Sequence, residues 1–336
     1  MTEEFDIPVF LTLEDLRKSI GINKKFFYSV LFDKKQFYKQ ARIPKKNGEY
    51  RTLNIPTLGL KSVQRWILDN ILYKIPVEKE ATGFVPQKSI VDNANLHLAK
   101  KYILKIDIIN FFPSINFAMV RSVFIKYGIL PEIATALANI CTQNSELPQG
   151  SPTSPYLANI VCSTLDKRLS TLCKHNGLIY TRYADDITIS GSRSFFWIKP
   201  LIEEIIISQG FSLNESKTIM LKPGDRKRVT GIIVNEKLSV PKSVTRNLRK
   251  NIYYIKKFGL GNHLEKTGLP LSEKQYKAHL YGIANFIKMV DLNKGLEFIS
   301  QLDSVFSQVE EYNFLSTSLE KEFIWDENEW RIFKKT

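Results

Sequence analysis

At 336 residues and 43% hydrophobic side chains, the chain can bury a substantial core, and it has no apolar run near the about 20 residues that span a bilayer. Its net charge of +14 points to a polyanion as partner. Cys141, Cys162 and Cys173 include no C-x-x-C pair, which fits reduced core thiols, and the acidic start Thr2-Glu3-Glu4-Phe5-Asp6 is unlike a secretory signal, so the expected location is the cytoplasm.

Thr12-Leu13-Glu14-Asp15 is a capping-box start for a helix ending near Gly21. A second helix follows Asn23-Lys24-Lys25, with Phe26, Phe27, Val30 and Leu31 at helical spacing. Residues 37–57 read as a hairpin that turns at Asn47-Gly48, between Lys46 and Arg51. In 58–75, Val63, Trp66, Ile67, Leu68 and Ile71 predict an amphipathic helix closed by Pro76. A loop over 83–90 leads into a helix carrying Asn93 and His97.

Residues 102–109 form an apolar run that reads as a buried strand, with Asp107 near its end and Asn110 and Pro113 stopping it. Helices are predicted over 114–127 and 131–142. Gly150 then offers conformational freedom and a close backbone approach beside Gln149. Pro152 and Pro155 start a long helix through Ala158, Ile160, Leu165 and Leu169. Two β-branched runs, Ile179-Tyr180-Thr181 and Ile187-Thr188-Ile189, flank Tyr183-Ala184-Asp185-Asp186. Residues 228–235 look like a hairpin turning near Asn235-Glu236, and two or three helices follow. Residues 237–294 hold twelve basic against three acidic side chains, whereas 295–336 hold four against nine. Arg246, Arg249, Lys250, Lys256 and Lys257 interleave with Tyr253, Tyr254 and Phe258, a pattern that suits a solvated face with core-facing aromatics or a surface that follows a nucleic-acid backbone.

Adjacent carboxylates at a bend, Asp185 and Asp186, suggest a divalent metal, and Asp107 at a strand end is their best distant partner. Hard cations prefer oxygen ligands, and two-metal sites about 3.5–4 Å apart serve in-line phosphoryl displacement. Taken singly, Asp107 also suits a helix N-cap, Tyr183 to Asp186 a solvated turn, His97 a satisfied buried imidazole, Lys217 a solvated lysine and Phe112 a core residue.

The two acidic segments, in this order, resemble motifs A and C of reverse transcriptases. Leu147 to Pro155 resembles motif B, Gly210 to Thr218 motif D, and Lys46 to Arg51 the basic fingers motif. Asn93-Ala94-Asn95-Leu96-His97 and Val229-Thr230-Gly231 resemble the signatures of bacterial retron reverse transcriptases, and the match runs from about residue 40 to 290. The resemblance implies an α+β right-hand polymerase fold. Residues 1–100 would be N-terminal helices and fingers. The palm, with its antiparallel sheet, would take 101–236 and hold inserted fingers at about 115–150. A basic helical thumb over 237–294 would include a packing motif at Gly282 and Phe286, with an acidic tail over 295–336.

It further implies two Mg²⁺ ions, with Mn²⁺ as a substitute, on Asp107, Asp185, Asp186 and the Ile108 carbonyl. Lys46, Arg51, Phe112, Gln149, Gly150 and Lys217 would handle the deoxynucleoside triphosphate, Phe112 excluding a 2′-hydroxyl. Asn93, His97, Arg228, Val229, Thr230 and Gly231, with Arg246, Arg249, Lys250, Lys256 and Lys257, would contact RNA or primer. The implied reaction copies a structured noncoding RNA into DNA from an internal 2′-hydroxyl of that RNA, giving branched RNA–DNA. An effector protein, antiphage defence and a host ribonuclease H are implied partners and setting, with no membrane. Group II intron-like and abortive-infection enzymes, and a noncatalytic RNA-binding scaffold, are the alternatives.

Overall fold

The computed structural model describes residues 5–44 and 50–306. Lys46, the Asn47-Gly48 turn and residues 307–336 of the expected tail lie outside the described residues, as does the Arg51 side chain. The chain divides between Lys237 and Leu238 into two compact units. Among the described residues, no helix is long and apolar enough to cross a membrane.

The first unit opens with α1 (Leu13–Ile20) and α2 (Lys24–Phe32). The capping box forms: the Thr12 hydroxyl accepts from the Asp15 N–H at 3.1 Å, and the Asp15 carboxylate accepts from the Thr12 N–H at 2.9 Å. Phe27, Val30 and Leu31 turn into the core. The expected hairpin is β1 (Tyr38–Pro44) paired with β2 (Tyr50–Pro56). Next come α3 (Leu58–Asn70) and a 3₁₀ turn at Leu72–Lys74. The helix therefore ends at Asn70, short of 75, and only Ile75, which takes extended backbone, answers to the following proline. After α4 (Ile90–Leu96), β3 (Tyr102–Ile109) and the short α5 (Phe111–Ser114) come α6 (Phe117–Lys126) and α7 (Pro131–Cys141). The long helix expected from Pro152 is two, α8 (Ser154–Val161) and α9 (Ser163–His175). No glycine or proline marks the break at Cys162, so the sequence reads as continuous.

β4 (Ile179–Tyr183), β5 (Asp186–Gly191), α10 (Lys199–Ser208), β6 (Ser212–Leu213) and β7 (Ile219–Leu221) complete the central layer. Its antiparallel sheet runs β4-β5-β3-β6, with β7 also paired to β3, and Ile103, Leu104, Ile106, Ile187 and Ile189 are fully buried. The α+β class with an antiparallel sheet is the one expected. All three cysteines are buried and unpaired, and burial pushes each thiol up to about 12.

The last hairpin of this unit, β8 (Arg228–Val229) and β9 (Ile232–Ile233), turns at Thr230-Gly231 and not near Asn235. Both central residues have positive φ, 44° and 90°, as a two-residue hairpin loop favours. Asn235 instead folds back, its side-chain oxygen accepting from the Lys227 N–H at 2.9 Å.

The second unit consists, in its described part, of α11 (Lys242–Phe258), α12 (Leu260–Thr267), α13 (Glu273–Val290) and α14 (Leu292–Phe306). Leu248, Ile252, Tyr276, Leu280, Ile287, Phe298 and Leu302 form its core. α14 crosses residue 295, where the sequence reading begins the tail, because Phe298, Leu302 and Phe306 keep the core face going at helical spacing. The glycine that packing demands is also a different one. A Cβ on Gly295 would stand 2.1 Å from the Lys288 Cα, whereas one on Gly282 would meet nothing within 4 Å.

Candidate active site

The strand register brings the three acids together. Asp107 on β3 is the direct partner of Asp186 on β5. Asp186 also pairs with Tyr183 on β4, so Ala184 and Asp185 alone form the turn. The Ile108 N–H donates to the Asp185 carbonyl at 3.1 Å, which ties the turn to the end of β3. The Asp186 residue is exposed, yet its carboxyl is raised above the ordinary carboxylate range, first by the surrounding protein and further by the Asp107 charge. Lys105 and Lys217 oppose that rise. The Asp107 side chain, 15% exposed, accepts from Lys217 at 3.0 Å on both oxygens. Asn214 adds its backbone N–H to the Asp107 carbonyl and its amide to the carboxylate, at 2.9 and 3.3 Å.

Among the described residues, no group of three or more His, Cys, Asp or Glu side chains is arranged to hold a metal ion by itself. A divalent cation held here would draw on one or two carboxylates, with waters and substrate phosphates completing its shell. Mutually repelling carboxylates of oxygen donors, Asp107 and Asp186, suit such a hard cation.

Beneath the turn lies a buried ion pair that the sequence reading missed. Arg182 and Asp166 are both 0% exposed and meet as a bidentate pair, at 2.8 Å from Nε and 2.6 Å from Nη2. Arg182 Nη1 also donates to Asn159 Oδ1 at 3.1 Å and to the Ala184 carbonyl at 3.2 Å, inside the acidic turn. Tyr180 donates to Asp166 at 2.6 Å. Burial opposes the Arg182 charge, but Asp166 outweighs it and holds the guanidinium's pKa above its ordinary value. Burial and then Asp166 likewise hold the Tyr180 phenol neutral. Ala184 has φ 55°, a left-handed conformation that costs an alanine about 1–2 kcal/mol. A strained turn of this kind persists only where its surroundings over-determine it. The guanidinium further lies 5.8 Å over the Phe111 ring, so one side chain braces both ends of the site. A signal existed: Asp166, Leu169 and Cys173 share a helical face with core residues, and an acid there needs a buried cation.

Phe112 is half-buried beside Phe111, ring centroids 5.4 Å apart. Gln149 is half-buried and Gly150 exposed, and the backbone of both meets β2. The Gln149 carbonyl accepts from the Asn54 N–H at 2.9 Å. Gly150 has φ 123°, and a Cβ on it would stand 2.8 Å from the Asn54 carbonyl. The glycine is thus required by β2. Lys217 reaches Asp107, and Ile108 is in register with Leu213.

Three expected RNA contacts are corrected by burial. His97 is 0%, Asn93 1% and Val229 1% exposed, so none presents a surface to RNA. The His97 ring joins Ser190 on β5 at 2.7 Å and Thr181 on β4 at 2.8 Å, and burial, then Lys100, lowers its pKa to about 3. The Thr230 hydroxyl donates to the Ile90 carbonyl at 2.9 Å, and the Ala99 N–H to the Val234 carbonyl at 2.9 Å. The hairpin that carries Thr230 is therefore tied to the residues on either side of the Asn93–His97 segment. Arg228 stays exposed, its Nε donating to the Gly231 carbonyl at 3.2 Å. In the second unit Arg246, Arg249, Lys250, Lys256 and Lys257 are all exposed.

Residues 43–234 match the family model described as reverse transcriptase (RNA-dependent DNA polymerase). The chain is 33% identical to the retron Mx162 reverse transcriptase of Myxococcus xanthus, over 86% of this chain and 66% of that protein. It is 35% identical to the retron Ec86 reverse transcriptase of Escherichia coli, over 74% of this chain and 79% of that one. Among solved structures, a telomerase from Candida albicans aligns with a TM-score of 0.45 and 12% identity, covering 82% of this chain and 64% of that one. With the family model over more than half its length and retron enzymes as relatives, the chain belongs to the reverse transcriptase family, with the α+β polymerase fold and RNA-directed DNA polymerase activity of retron type.

Proposed function

We propose that the protein copies a structured noncoding RNA into DNA, primed by an internal 2′-hydroxyl of that RNA, and so makes a branched RNA–DNA molecule. The observation that carries this reading is the pairing of Asp107 with Asp186 beside the Asp185 turn. Reverse transcriptases use divalent metal ions, and Asp107, Asp185 and Asp186, with the Ile108 carbonyl, are the groups that would hold two Mg²⁺, or Mn²⁺ in their place. Bound metal supplies a lower pKa for the attacking hydroxyl and charge to match the departing pyrophosphate. Lys217 is 62% exposed on a flexible stem, within reach to move from the Asp107 carboxylate to a triphosphate oxygen and to offset charge there.

Phe112 would stand under the ribose and exclude a 2′-hydroxyl, while Lys46 and Arg51 would hold phosphates. The exposed cations of α11 and Arg228 would follow the RNA and primer backbone, with an affinity that falls as salt rises. Thr230 and Gly231 would serve that region as its turn. The setting is the cytoplasm and antiphage defence, with an effector protein as partner and a host ribonuclease H to remove template. Purifying the protein with its nucleic acid tests the reading: a branched species sensitive to both ribonuclease and DNase is expected. The Asp185→Asn, Asp186→Asn double variant should yield RNA alone. DNA from that variant would sink the catalytic assignment, and RNA without DNA from the unaltered protein would make it a scaffold.

A further inference from the structure

Helix α11 carries a face that its core does not use. Thr245, Leu248, Ile252 and Ile255 point inward, whereas Asn247, Asn251, Tyr254 and Phe258 follow one another at helical spacing on a neighbouring face. They border a cavity of about 660 Å³ whose other wall comes from α12, within the range of about 300–1,000 Å³ typical of ligand pockets.

The chemistry of the wall narrows what fits. Tyr254 lies nearly parallel to Phe258, centroids 6.0 Å apart at 21°, and to His263, 5.9 Å apart at 18°. His263 is buried and shares a 3.1 Å hydrogen bond with the Tyr276 hydroxyl, so the row of rings is held flat from below. Phe258 remains 40% exposed. Two ammonium groups stand at the rim, Lys250 at 5.7 Å from the Tyr254 ring and Lys266 at 5.0 Å from the Phe258 ring. Neither the Asn247 nor the Asn251 amide hydrogen-bonds to a described residue, leaving donors and acceptors on the same stripe as the rings.

Flat rings, free amides and flanking cations match a planar heterocycle attached to phosphate better than an acidic peptide, which would have no use for the ring row. We propose that this cavity seats one unpaired nucleobase of the nucleic acid the protein handles. Tyr254 and Phe258 stack on it, Asn247 and Asn251 read its edge, and Lys250 and Lys266 take the adjoining phosphates. The base must be unpaired, because a base inside a duplex offers neither a free face nor a free Watson–Crick edge. The inference rests on the proposed function only for the presence of nucleic acid.

Fluorescence anisotropy of the full chain, at one fixed salt concentration, tests it. The probes are a labelled RNA hairpin with a single bulged adenosine, the same hairpin fully paired, and the DNA counterparts of both. The bulge should tighten binding about tenfold, the scale of one stacked base, and the backbone in which it does so identifies the strand. Tyr254→Leu, which keeps apolar packing on His263, should remove most of that gain. Asn251→Ala, a change of a half-buried amide with no partner to lose, should remove part of it. Absence of a bulge preference in both backbones overturns the proposal, as does a preference that survives in a folded Tyr254→Leu protein and in Asn251→Ala. Failure of the polymerase reading is separate. It would show as no nucleotide incorporation by the unaltered protein on a homopolymer RNA template with a DNA primer, with the bulge preference intact.

Discussion

The acidic turn and the region around α4 are both marked by short sequence motifs, and they use their polar groups in opposite ways. At the turn, Asp186 is exposed and the partner of Asp107 is Lys217, itself 62% exposed. The groups are held in place yet open to exchange partners. Around α4 the polar groups are the brace. Both His97 nitrogens are occupied by hydroxyls of the sheet, and the Thr230 hydroxyl is committed to Ile90. A motif therefore marks a place under constraint, and the identity of the hydrogen-bond partner decides whether the constraint is chemical or architectural.

The largest expected effect separates the two most sharply. Asp107→Asn should lower DNA synthesis by about 10³-fold or more if Asp107 is a metal ligand as proposed, since it replaces a charged carboxylate with a neutral amide. Its midpoint in thermal unfolding should move by only a few degrees, because the lost Lys217 contact is exposed. A large fall in stability with normal synthesis would reverse the roles of turn and brace.

Next in size, Arg182→Met should destabilise by about 3–5 kcal/mol in urea unfolding, because Asp166 is left buried without its cation. Adding Asp166→Leu should recover much of that stability, since two apolar side chains can replace a buried pair. Synthesis should stay low in the double variant, for the Ala184 carbonyl still lacks its donor. Recovery of both together would make Arg182 a packing residue with no influence on the turn.

The His97 brace sets a pH dependence. Its folded pKa is depressed from 6.5 to about 3, so below 6.5 the unfolded chain binds a proton that the folded one refuses. Stability contributed by the neutral ring is complete above that value and is lost as pH falls toward 3. His97→Leu should cost about 1–3 kcal/mol at neutral pH through the stranded Ser190 and Thr181 hydroxyls, and flatten the slope below pH 6.5. RNA affinity lost without any loss of stability would return His97 to the nucleic-acid surface.

Elements with local signals were legible from the sequence: the Thr12 capping box, the residue 37–57 hairpin and the Asp107 strand all stand where spacing put them. The acids were legible as a set because a bend after β-branched residues and an acid at a strand end are local features. What escaped depends on contacts distant in sequence. The Arg182 pair joins β4 to α9, and the demand for Gly150 comes from Asn54, far upstream. The turn at Thr230-Gly231 escaped for a different reason. Asn235-Glu236 had the better local turn chemistry, while a β-branched residue at positive φ is a poor prior that tertiary packing overrode.

That unusual threonine gives the smallest effect and the cleanest probe of the brace. Thr230 holds φ 44° while its hydroxyl donates to the Ile90 carbonyl across from the hairpin. Valine has the same branching and nearly the same volume, so Thr230→Val leaves the backbone strain as it is and removes the hydroxyl alone. The Ile90 carbonyl then loses one donor, an expected cost of about 1 kcal/mol. Thr230→Ser restores the donor and should regain most of that loss. RNA affinity at fixed salt should be unchanged in both, because the hydroxyl is turned to Ile90. Weaker RNA binding in the valine variant, restored by serine while unfolding midpoints stay level, would show that this hydroxyl contacts the ligand and would erase the contrast between turn and brace.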